Sequence, residues 1–196
     1  MTRKHTLRAV WSLVVTVALT LPMAASSALA EDKAVLRLRA WAVNTNNNVR
    51  TNTIDIVIER WSTPEEIESL RGVLIEKGSD KLLSAVQKIK PRCGFTRTSN
   101  SLGWDLQFAR ETVMSDGTRK IVVGTDRPMS MWELRNAGRS TDYEFSLAEI
   151  RMPVEGKGQG KAITKAMLSF NKDKNTLEIE NYDREPVRLN EITIVK

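Results

Sequence analysis

The sequence predicts an α+β, mainly β fold: an antiparallel sandwich or partial barrel of about 8–9 strands, with one helical hairpin (about 64–89) inserted after the second strand. Three observations carry this. Short segments with period-two alternation recur along the chain, spacing switches once to a helical period, and polar glycine- or asparagine-rich turns separate the segments.

The first thirty residues stand apart. Arg3, Lys4 and Arg8 form a basic head, residues 9–21 are an apolar run, and Pro22 breaks it. Ala28-Leu29-Ala30 follows as a small-x-small processing site. This is the pattern of a secretory signal peptide, with cleavage expected after Ala30. The run is short against the ~20 apolar residues of a membrane span. The expected organisation is a signal peptide over 1–30 and a single globular β-rich domain over 31–196. That places the protein in the periplasm or outside the cell, with no transmembrane segment once the signal is removed.

Residues 35–43 set Leu36, Leu38, Ala40 and Ala42 on one face, against Arg37, Arg39 and Trp41 on the other. Residues 53–61 set Ile54, Ile56 and Ile58 opposite Asp55, Val57 and Glu59. The asparagine-rich stretch 44–48 reads as the hairpin loop between them. One buried face per strand favours antiparallel pairing.

The helical spacing starts at Ser62-Thr63-Pro64-Glu65-Glu66. Thr63 and Glu66 fit a capping box, and Pro64 suits the first helical position. Ile67, Leu70 and Leu74 follow on one stripe, and Gly78 reads as the stop. Ser79 is the expected cap of a second helix carrying Leu82, Leu83, Val86 and Ile89, ending before Pro91. One apolar face of this hairpin should pack on the sheet.

Trp104, Leu106 and Phe108 then alternate, answered by Ile121 and Val123 across the turn Ser115-Asp116-Gly117. Tyr143, Phe145 and Leu147 open a further strand, whose alternation shifts to Ala148, Ile150 and Met152, as a bulge would produce. Residues 162–170, 176–180 and 187–195 complete the set, separated by the glycine-rich turn 156–160 and by Asn171–Asn175.

Charge and chemistry exclude more than they select. The chain has 30 Lys+Arg and 24 Asp+Glu, for a net charge of +6. Three basic residues and no acidic ones lie in residues 1–30, so the remainder carries 27 against 24, or +3. Both signs are interspersed, which gives no nucleic-acid footprint. The one histidine, His5, leaves with the signal peptide. Histidine-activated nucleophiles and His-based metal sites therefore leave with it, so no metal site and no cofactor is expected. The one cysteine, Cys93, has apolar flanks and reads as a buried thiol.

Gly156–Lys161 resembles a phosphate loop only superficially, since Glu155 and Ala162 stand where glycine and a hydroxyl residue are required. Carboxylates on strands (Asp55, Asp105, Glu111, Glu144, Glu149) show no pairing in their spacing, and Glu149 with Arg151 reads as an ion pair. No catalytic residue is expected, and the chain leans away from being an enzyme.

Between the strand ending near Thr125 and the one starting near Tyr143 lie about seventeen residues, longer than a hairpin loop requires, and they carry most of the apolar cluster GTDRPMSMWEL (124–134). Arg127, Met129, Met131, Trp132, Arg135 and Tyr143 form the candidate site. Either Trp132 plugs one end of the fold, or the cluster forms the lip of a site for an amphipathic anion or a protein partner.

Three stretches, IERWSTPEE (58–66), RTSNSLGWDLQFAR (97–110) and TDRPMSMWELRN followed by YEFSLAEIRM, resemble a group of exported bacterial proteins of unknown function that share such segments. The resemblance covers most of residues 31–196. It implies a shared signal peptide and fold, and it carries no activity, ligand or catalytic residue. The leading expectation is an exported, non-catalytic domain that binds a small apolar or amphipathic ligand in an internal pocket opening beside Trp132. A structural or interaction protein of the cell envelope is the alternative, and a carboxylate-based hydrolase the third.

Overall fold

Alternation becomes strand wherever one face can be buried, and in this chain that happens around a ring. The computed structural model describes residues 34–46, 49–99, 101–129, 143–183 and 185–195. All of them belong to one unit, Lys33–Lys196. Along it run β1 (Leu36–Asn44), β2 (Arg50–Ile58), α1 (Pro64–Lys77), α2 (Ser79–Val86), β3 (Gly94–Thr98) and β4 (Trp104–Val113). They are followed by β5 (Arg119–Thr125), β6 (Phe145–Met152), β7 (Gly158–Asn171), β8 (Thr176–Asn181) and β9 (Val187–Ile194).

Every pairing is antiparallel, in the order β6-β5-β4-β3-β2-β1-β9-β7-β8. An additional β6–β7 pairing joins the two sides. The result is a closed eight-stranded barrel with β8 as an extra strand outside the ring. Of the two architectures expected, sandwich and partial barrel, the chain adopts the barrel and completes it. Closure satisfies the backbone groups that an open sheet would leave at its edges.

Two apolar cores result. The expected inward residues Leu36, Leu38, Ile54, Ile56, Ile58, Leu106, Ile121 and Ile150 meet inside the barrel, joined by Leu189, Ile192 and the fully buried Cys93. Outside it, Leu74, Leu82 and Val86 of the helical hairpin pack with Phe145, Ala166 and Leu168 of β6 and β7. The hairpin therefore covers the sheet from outside. Its start is the expected one: Thr63 Oγ1 accepts from the Glu66 N–H at 3.2 Å, and the Glu66 carboxylate accepts from the Thr63 N–H at 3.0 Å.

Five details differ from the sequence reading. Gly78, not Ser79, precedes α2, and Ser79 is its first residue without a capping role. The helix also ends at Val86, short of Ile89. β3 was not expected: it has only five residues, and it buries Thr96 (2% exposed) rather than an aliphatic residue. A bulge between Leu106 and Phe108 breaks the alternation of β4, so Leu106 enters the barrel core while Phe108 does not.

The glycine-rich segment, finally, is part strand. β7 begins at Gly158, because Gly158 and Gly160 are where β7 lies against β6 and β9 together. A Cβ on Gly158 would stand 2.3 Å from Met152 Sδ, and one on Gly160 2.6 Å from the Glu149 carbonyl oxygen. Only glycine permits that approach.

Candidate functional site

Of the predicted site residues, Arg127, Met129 and Tyr143 are described. Met131, Trp132 and Arg135 lie outside the described residues, as does Ala30 with the signal segment. The described three are anchors. Arg127 is exposed, and its Nη2 donates to the Gly103 carbonyl at 3.1 Å. The Met129 N–H is shared between Ser146 Oγ at 2.6 Å and the Thr164 carbonyl at 3.0 Å. Ser146, 1% exposed, itself donates to a carbonyl oxygen, with those of Arg127 and Thr164 at 3.1 and 2.8 Å.

Tyr143 meets Tyr182 edge to face at 5.1 Å and donates its hydroxyl hydrogen to Glu180. Beside them Lys165 lies 4.1 Å from the Tyr182 ring centre and 3.6 Å from Asp183. Thr164 and Lys165 mark where β7 passes from pairing with β9 to pairing with β8. Met129 is thus held to β7 and Tyr143 to β8 and Tyr182.

Among the described residues the barrel interior is closely packed. Met129 closes a void of about 10 Å³, together with Ile54, Leu106, Val123, Ser146, Ala148 and Leu189. That volume admits at most one water. Among the described residues the expected internal ligand chamber is therefore filled by side chains.

Concavities lie outside instead. β3 leaves part of the β4 edge open, and Ser62 occupies it: its N–H donates to the Ala109 carbonyl at 2.7 Å, and its Oγ accepts from the Ala109 N–H at 3.1 Å. This holds Trp61 and the first turn of α1 beside the outer end of β4. Between them runs a groove of about 480 Å³, walled by Trp61, Pro64, Ile67 and Val113 and edged by Arg110, Glu68 and Glu111. Glu111 is paired with Arg119, and Glu68 leans on Arg71 at 3.5 Å. Arg110 is exposed and forms no ion pair with a described residue.

A second hollow of about 330 Å³, lined by Asp116, Lys120, Arg151 and Lys157 among others, differs in character. Its cations are committed, Lys120 and Arg151 to Glu149 and Lys157 to Glu191.

The remaining chemistry is structural. The Cys93 thiol is pushed up from its ordinary pKa by burial, with Ser62 Oγ 3.5 Å away, which disfavours the nucleophilic thiolate. Asp55 is held below the usual carboxylate range by the hydrogen bond from Arg39, and Arg97 adds to this. Asp105 pairs with Arg92, and Glu149 with Arg151, as expected, and with Lys120 as well. Among the described residues no group of three or more Cys, His, Asp or Glu is placed to hold a metal, and no helix is long and apolar enough to cross a membrane.

The Trp61 groove escaped sequence reading because Trp61 and Arg110 are far apart in the chain. Only the Ser62–Ala109 pairing brings them together. No family model matches the chain, and no curated protein or solved structure is significantly similar to it.

Proposed function

We propose that this is an exported, non-catalytic binding domain for a small amphipathic anion, held in the Trp61 groove at the end of β4. The observation that supports it is the pairing of one uncommitted guanidinium, Arg110, with an apolar wall of Trp61, Ile67 and Val113 in a groove of about 480 Å³. Small-molecule sites run roughly 300–1,000 Å³ and combine apolar walls with few polar groups. A carboxylate or sulfate head would take the planar guanidinium in a bidentate contact. An alkyl or aryl body would cover the apolar wall, at about 25 cal/mol per Å² removed from water.

Isothermal titration with sodium laurate tests it. Saturable binding is expected, weakened at least tenfold in Arg110→Gln and unchanged in Arg127→Gln. No binding to the purified protein, or binding indifferent to Arg110, contradicts the reading.

Export by a cleaved signal peptide is part of the same proposal. N-terminal sequencing of protein from the periplasmic fraction is expected to begin at Glu31. A protein that stays in the cytoplasm with its first thirty residues intact contradicts it.

A further inference from the structure

Ring closure gives every barrel strand two neighbours, so among the described residues β8 alone has a single neighbouring strand. Its register aligns Leu177 with Phe170 and Ile179 with Leu168. Leu168 is buried and Phe170 half-buried in the core beneath the helical hairpin, whereas Leu177 and Ile179 are 52% and 46% exposed. The outer apolar core thus runs from under the helices onto β8 and stops in water.

The opposite face of β8 is acidic. Glu178 accepts from Asn171 Nδ2 at 2.9 Å, and Glu180 accepts from the Tyr143 hydroxyl. These bonds hold the carboxylates in place and leave lone pairs on each. Neither forms an ion pair with a described residue.

An unpaired strand edge is a template for another strand, and this one specifies what it accepts. A second copy of β8 is disfavoured. An antiparallel twofold pairing that keeps the faces aligned brings residues of equal parity opposite one another, which sets Glu178 against Glu178 or Glu180. Like charges directly opposite across a strand pair are destabilising.

We infer that β8 receives an extended segment of a partner protein as an added strand, with apolar and basic residues alternating along it. Its apolar side chains continue the shelf of Leu177 and Ile179, and its Lys or Arg side chains face Glu178 and Glu180. Main-chain hydrogen bonds supply affinity, and the alternate side chains supply selectivity.

Fluorescence anisotropy with a labelled eight-residue peptide of alternating Val and Lys tests this on the purified protein. Three results are expected: saturable binding, at least tenfold weaker binding of the Val/Glu peptide, and loss of binding when the backbone amides of the Val/Lys peptide are N-methylated. Glu178→Lys with Glu180→Lys should reverse the charge preference, while Glu155→Lys leaves it unchanged. If the double reversal fails to fold, Glu178→Gln with Glu180→Gln should weaken the Val/Lys peptide at least tenfold.

Equal binding of both peptides, no binding, binding indifferent to N-methylation, or a preference that survives these substitutions overturns the inference. So does a dimer in analytical ultracentrifugation that Glu178→Lys abolishes, because the edge would then be filled by a second copy.

Discussion

At Gly94 the approach of two strands depends on the absence of a single atom. Its φ is 156°, and a Cβ there would stand 2.0 Å from the Val57 carbonyl oxygen. Because Gly94 pairs with Ile58 on β2 and Leu106 on β4, any shift is passed to both neighbours. Gly94→Ala is expected to cost about 3 kcal/mol or more in urea unfolding, the range of strain plus lost packing. A cost under about 0.5 kcal/mol, the size of an ordinary surface change, would show that the approach is not tight.

Single residues were unevenly legible in the sequence. Apolar flanks sufficed to expect Cys93 buried, because a free thiol surrounded by aliphatics has nowhere better to go. Glycines 158 and 160 read as loop, because what constrains them is the neighbouring strand β6, whose residues Glu149–Met152 lie against them only in the fold.

At the scale of elements, the entry to α1 joins a cap to an ion pair. Glu66 is held below the usual carboxylate range chiefly by hydrogen bonds from Arg60, with contacts at 2.9 and 3.0 Å, and it also completes the capping box. A carboxyl whose folded pKa is depressed stabilises the fold above its ordinary value, 4.5, and that contribution disappears as the pH falls through the lowered value. Between about pH 5 and about pH 3 the native protein should therefore lose more stability than Glu66→Gln does. Parallel loss in both proteins would contradict the coupling. Thr63→Ala should cost about 1 kcal/mol at neutral pH, the usual worth of a helix N-cap, measured by the same unfolding.

Elements governed by local chemistry were the legible ones. The capping box, the glycine stop and the Ser115-Asp116-Gly117 turn each depend on a few consecutive residues. β3 and the β4 bulge depend on partners. β3 is a strand because β2 and β4 leave a slot of that width, and its Thr-Arg-Thr alternation is the one signal that could have pointed to it.

For the whole molecule, the decisive fact is that the barrel is closed and, among the described residues, closely packed inside. Strand count and antiparallel sense followed from alternation, but closure is a long-range event between β6 and β7, and volume is the sum of facing side chains. Neither has a local signature. A filled interior makes a firm expectation: Ala148→Leu, which lines the void of about 10 Å³, should destabilise the protein by about 1–3 kcal/mol through overpacking. A neutral or stabilising effect would reveal hidden room.

The two proposed sites, a groove at Trp61 and the outer edge of β8, offer different chemistries. Of the expected site, Met129 is held to β7 and Tyr143 to Glu180 of β8. The most direct measurement is ¹H–¹⁵N chemical-shift mapping of the labelled protein during titration with sodium laurate. Shifts confined to Trp61, Ile67, Arg110 and Val113, with Leu38, Ile121 and Ile150 unmoved, are expected. Shifts centred on Met129, Ala148 and Leu106 would place the ligand inside the barrel and contradict an external site.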